Sequence, residues 1–99
     1  MSELNRATIL GTGTMGPGMG AVLARAGLQV TMFDVDKEAL ARTEDMVAIV
    51  DGVLDRLEVP RRDGGAIHYE SERATALAGA ELVLEAIPEK LELDRKSVV

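Results

Sequence analysis

Gly11-Thr12-Gly13-Thr14-Met15-Gly16 lies between a short apolar run, Ala7-Thr8-Ile9-Leu10, and a stretch of helical periodicity ending at Ala26-Gly27. The next apolar run, Leu28 to Phe33, is closed by Asp34. Strand, glycine turn, helix, strand and acid, in that order, are the full context in which such a turn binds a dinucleotide. Gly11 permits the tight turn, Gly13 lets the backbone approach a pyrophosphate, and Gly16 lets the helix settle on the strand. The expectation is that the phosphates rest on main-chain N–H groups at the helix start, where the aligned peptide dipoles favour an anion. Asp34 then accepts hydrogen bonds from the adenosine ribose, and its charge repels a 2′-phosphate. That predicts NAD over NADP, with no arginine at Val35 or Asp36 to offset the charge.

Working outward, the first helix is expected to start near Met15, with Met19, Val22, Leu23 and Ala26 facing inward and Gly16, Gly20 and Ala24 forming a small-residue stripe. Pro17 falls in its first turn and Gly27 is its stop. A second helix is predicted from Lys37 to about Leu57, capped by Asp36, with Leu40, Val47, Val50, Leu54 and Leu57 inward. Pro60 to Gly65 reads as a turn, Ala66 to Tyr69 as a third strand, Arg73 to Leu77 as a helical turn, and Glu81 to Ala86 as a fourth strand. A last helix is expected from Pro88 or Glu89 onward, with Leu91 and Val98 inward. Strands alternating with helices imply parallel crossovers: an α/β, Rossmann-type doubly wound sheet of strand order 3-2-1-4. Its crevice opens between the first and fourth strands, at their carboxyl ends. Glu89 emerges there, either toward the nicotinamide ribose or as an ordinary acid of a first helical turn.

With 99 residues the chain is one compact unit. The expectation is that residues 1–99 are the N-terminal part of a dinucleotide-binding domain whose remaining portion, and a following helical domain, lie outside it. Eleven basic and 17 acidic residues give a net charge of −6 with no basic patch, which argues against nucleic acid and anionic membrane as partners. The absence of cysteine removes disulfides and thiolate metal sites and fits a reducing cytoplasm. His68 is the only imidazole, and its strand lies away from the crevice, so no catalytic role is assigned to it. Met15 and Met19 read as packing residues, although the Met15 N–H sits where phosphate would bind. A four-stranded sheet also leaves apolar area that invites association, a homo-oligomer being one outcome.

Two stretches resemble the NAD-binding domain of 3-hydroxyacyl-CoA dehydrogenases: Gly11 through Asp34, and Ala80-Glu81-Leu82-Val83-Leu84-Glu85-Ala86-Ile87-Pro88-Glu89 with Leu91-Glu92-Leu93 after it. The resemblance implies an oxidoreductase of fatty acid metabolism, moving a hydride between NAD and the 3-hydroxy or 3-keto group of an acyl-CoA. It implies that Gly11, Gly13, Thr14, Met15 and Gly16 hold pyrophosphate, Asp34 the ribose, and Glu89 a nicotinamide-side contact. Asp94 stands where the family often has lysine, and the connection between the second helix and third strand is short. The family's catalytic His and Glu, with their Ser and Asn helpers, match no residue here, so this chain alone is expected to be inactive. Two rivals share the glycine turn: a 3-hydroxyisobutyrate or 6-phosphogluconate type dehydrogenase, whose fourth-strand exit differs from Glu85-Ala86-Ile87-Pro88-Glu89, and a non-catalytic NAD-binding module. A flavin site would prefer glutamate at Asp34.

Overall fold

A computed structural model describes residues 4–11, 13 and 15–86. Four strands and three helices alternate: β1 Arg6–Leu10, α1 Gly16–Arg25, β2 Gln29–Phe33, α2 Lys37–Arg56, β3 Ala66–Glu70, α3 Arg73–Leu77 and β4 Leu82–Glu85. All pairings are parallel and the sheet order is β3-β2-β1-β4, as the alternation predicts. The expected last helix lies outside the described residues.

Because side chains alternate across a strand, the sheet has two distinct faces. One carries Ile9, Val30, Met32 and Ala86, covered by Met19, Leu23 and Ala24 of α1. The other carries Leu10 and Phe33 against Ala76 of α3. Thr8 points to this second face, where its buried hydroxyl donates to the Ala76 carbonyl at 2.6 Å.

The helix ends follow the sequence signals. Asp36 accepts the Glu38 amide at the start of α2. After Arg25, the Gly27 amide donates to the Ala24 carbonyl and the Leu28 amide to the Leu23 carbonyl, a Schellman motif with Gly27 at φ 99°. Three inward assignments need correction. Leu40 and Val47 are buried on α2, but Leu57 is 68% exposed because the chain turns away just beyond the last helical turn. On α1, Val22 is 51% exposed and Ala26 is also exposed. The buried side chain in the last turn of α1 is that of Arg25, at 3% exposure.

Arg25 is the feature that periodicity does not reveal. Its guanidinium donates to the Asp51 carboxylate and carbonyl, to the Asp55 carboxylate and to the Val59 carbonyl, at 2.6–3.0 Å. Arg61 closes the cluster on the same two carboxylates. Hydrogen bonds from Arg61 hold the Asp51 carboxyl below its ordinary range, and those from Arg25 do the same for Asp55; bonding to Asp55 in turn raises Arg25. The cluster ties the end of α1 to the end of α2 beneath the amino ends of the strands.

Candidate dinucleotide site

At the opposite, carboxyl end of the sheet, the chain leaving β1 must reverse direction to enter α1. Gly11 makes that possible with φ 85°, a left-handed conformation that a side chain disfavours. Its amide donates to the Phe33 carbonyl at 2.8 Å, the Gly13 amide to the Ala86 carbonyl at 2.7 Å, and the Gly16 amide to the Gly13 carbonyl at 3.0 Å. The turn is thereby stitched to β2 on one side and to the exit of β4 on the other.

The amides of Gly11, Gly13 and Gly16 are thus bonded within the protein, and these glycines set the shape and closure of the turn. The Met15 amide makes no hydrogen bond to a described residue. Met15 occupies the N-cap of α1, is 70% exposed, and has Pro17 just inside the helix. Its side chain is thus not a core residue, whereas Met19 packs against the core. Thr14 and Glu89 lie outside the described residues.

Asp34 sits where β2 ends, partly buried. Its carboxylate accepts the Asp36 amide at 2.9 Å, and its own amide donates to the Glu70 carbonyl. The acid therefore also serves the turn into α2, while Asp36 does the capping. Both turns, after β1 and after β2, open at the same edge of the sheet. They flank the point where the connections from β1 and β4 depart, which is where ligands of open parallel sheets bind.

Ala86 is the participant that the sequence alone did not identify as structural. Its amide donates to the Leu10 carbonyl at 2.8 Å and its carbonyl holds Gly13, so the exit of β4 forms the wall of the turn. A small residue between Glu85 and Ile87 was the signal: a Cβ built on Gly16 would lie 3.5 Å from the Ala86 Cβ. The closer approach of helix to sheet is at Gly20, where a Cβ would come 2.7 Å from the Met32 sulfur. His68 lies two strands from β1, exposed, with Nε2 2.8 Å from the Gln29 side-chain oxygen.

These residues fit a dinucleotide: an amide at an exposed helix start with no partner among the described residues, a glycine in the conformation the turn needs, and a carboxylate fixed at the next strand end. An open groove of about 590 Å³ along α1, lined by Met15, Met19, Val22, Leu23, Val50 and Leu84, is a different feature. Its walls are apolar and offer phosphate nothing. Among the described residues no group of acids and histidine could hold a metal, and no helix is long and apolar enough to cross a membrane.

Comparison with known proteins agrees with this geometry. A 5-formyl-3-hydroxy-2-methylpyridine 4-carboxylate 5-dehydrogenase of Mesorhizobium japonicum is 41% identical over 87 residues, 86% of this chain and 28% of the relative. The 3-hydroxyadipyl-CoA dehydrogenase of Escherichia coli is 33% identical, over 96% of this chain and 21% of its own length. The crystal structure of a dehydrogenase of the pyridine carboxylate type, described as an NAD⁺-dependent dismutase, superposes with a TM-score of 0.81 at 37% identity, covering 93% of this chain and 30% of that one. The chain thus spans less than a third of the length of these relatives. The family described as 3-hydroxyacyl-CoA dehydrogenase, NAD binding domain, matches residues 6–98, and the chain belongs to that family.

Proposed function

We propose that this chain is the cofactor half of an NAD-dependent dehydrogenase that moves hydride between NAD and a carbon bearing a hydroxyl or carbonyl oxygen. The observation that carries the reading is the juxtaposition at one sheet edge of the Met15 amide, unpaired among the described residues, with the Asp34 carboxylate, both anchored by the hydrogen bonds of Gly11, Gly13 and Asp36. NAD supplies the hydride chemistry when bound. The Met15 and Thr14 amides would take the pyrophosphate, Asp34 the adenosine ribose, and Glu89 the nicotinamide side. The glycines keep the backbone close enough for those contacts.

The substrate on this reading is an acyl-CoA, in keeping with the family and with the 3-hydroxyadipyl-CoA relative. A pyridine carboxylate is the second reading, favoured by the higher identity of the Mesorhizobium relative. The family's catalytic His and Glu match no residue of the sequence, so the chain by itself binds cofactor without turnover. Titration calorimetry with NAD, NADP and FAD tests the first part: NAD is expected to bind, NADP more weakly, FAD not at all. Equal binding of NADP would contradict the role of Asp34. Mixing the chain with NADH and acetoacetyl-CoA, or with the pyridine carboxylate, is expected to leave NADH unoxidised; turnover at ordinary enzyme rates would contradict the cofactor-half reading.

A further inference from the structure

The start of α1 is short of donors for a helix that faces a diphosphate. A helix leaves the amides of its first turn without partners of their own, and an anion at that end is held by them. In α1 the first amide to bond back along the helix is that of Met19, to the Met15 carbonyl at 3.0 Å. The positions before it, 15 to 18, are therefore the ones a phosphate can use. The Gly16 amide is taken by the Gly13 carbonyl at 3.0 Å. Pro17 carries no N–H. What remains is the Met15 and Gly18 amides, neither bonded to a described residue, with a break between them.

The break is filled by carbon. A proline ring sets its Cδ where any other residue has its amide hydrogen, so a methylene replaces a donor in the row that meets the anion. No side chain compensates: residues 11–24 contain no lysine or arginine, and Arg25 at the far end of α1 is bonded to Asp51 and Asp55. Pro17 is buried, in the first turn, where proline costs a helix no internal hydrogen bond. One residue thus stabilises the helix start and weakens its hold on an anion. Hydride transfer exchanges oxidised for reduced cofactor in every cycle, and release of product limits many such enzymes.

Resting on the function proposed above, we infer that Pro17 sets the affinity for the dinucleotide: it withholds a donor from the pyrophosphate and keeps NAD exchangeable, below the affinity that an unbroken row of amides would give.

Titration calorimetry on the parent chain, Pro17→Ala and Pro17→Gly tests this. Both variants restore an amide at position 17, and both are expected to bind NAD roughly tenfold more tightly. Their melting temperatures are expected to fall, since each loses a buried ring and proline's restriction of the unfolded chain. Tighter binding by a less stable chain is a result that a merely structural role for Pro17 does not give. ADP, which carries two phosphates, is expected to show the same gain, and adenosine, which carries none, no gain. In ¹H–¹⁵N spectra of Pro17→Ala, read on the folded fraction, the new amide at position 17 is expected to shift with NAD as Met15 does. Variants that bind NAD no more tightly than the parent, an equal gain for adenosine, or a new amide that NAD leaves unmoved overturns the inference. A parent chain that binds no NAD overturns the proposed function and this inference with it. Where the parent binds NAD and Asp34→Asn weakens it, unchanged Pro17 variants overturn the inference alone.

Discussion

The two ends of the sheet are built on different principles. At the amino end, Arg25 binds two carboxylates and two carbonyls, the Glu81 carboxylate accepts the Asn5 and Arg6 amides, and Gly65 presses against the Ala24 carbonyl. At the carboxyl end, backbone bonds close the turn after β1, the Asp34 and Glu70 carboxylates accept amides that follow them, and the Met15 amide at the exposed helix start has no partner among the described residues. Polar groups at the amino end are spent on each other; on the function proposed above, some at the carboxyl end are kept for a ligand. Stability and binding should accordingly be separable by mutation.

The largest expected effect is at the amino end. A Cβ on Gly65 would stand 1.7 Å from the Ala24 carbonyl oxygen, a backbone atom that cannot swing aside. Gly65→Ala is expected to destabilise the fold by roughly 3 kcal/mol or more, seen in urea unfolding, with NAD affinity of the remaining folded chain unchanged. Arg25→Met comes next, because it strands Asp51 and Asp55 without their buried partner. Its melting temperature is expected to fall well below that of the parent, again without a change in NAD affinity.

That variant also sharpens the comparison through pH. The folded-state pKa values of Asp51 and Asp55 are lowered, so their contribution to stability is fully present above the ordinary carboxylate pKa, about 4. It is lost as pH falls through the lowered folded values. Acid titration of stability is therefore expected to be steep below about pH 4 in the parent and shallower in Arg25→Met. An equally steep loss in the variant would remove the cluster from the account.

At the carboxyl end the effects reverse. Asp34→Asn keeps an acceptor for the Asp36 amide but removes the charge; NAD affinity is expected to drop roughly tenfold or more, and discrimination against NADP to shrink, with little change in melting temperature. The smallest effect lies between the ends. Thr8→Val leaves the buried Ala76 carbonyl without its donor and is expected to cost about 1 kcal/mol of stability with NAD binding intact.

What the sequence disclosed follows the same division. Element order, strand order and helix ends are local matters of period, glycine and capping, and Gly11, Gly27 and Asp36 carry them. Long-range pairing is not written in period. Nothing near Arg25 announces Asp51 and Asp55, and the apolar spacing of α2 does not reveal that Met46 and Ile49 lie on an exposed side while Val47 is buried. The candidate site was legible as a location, because the glycine turn and Asp34 follow two consecutive strands. Which amides donate was not, since Gly11 and Gly13 bond to Phe33 and Ala86, residues distant in sequence.

The central claim is that a dinucleotide takes its phosphate contacts from the amide at the start of α1 and its ribose contact from Asp34. An amide-resolved ¹H–¹⁵N NMR titration with NAD tests it directly. The Met15 and Asp34 signals are expected to shift most, while those of Gly11 and Gly13 remain protected from exchange and Arg25 and its partners stay unmoved. Shifts confined to α2 or to the amino end of the sheet, or no shifts at millimolar NAD, would contradict it.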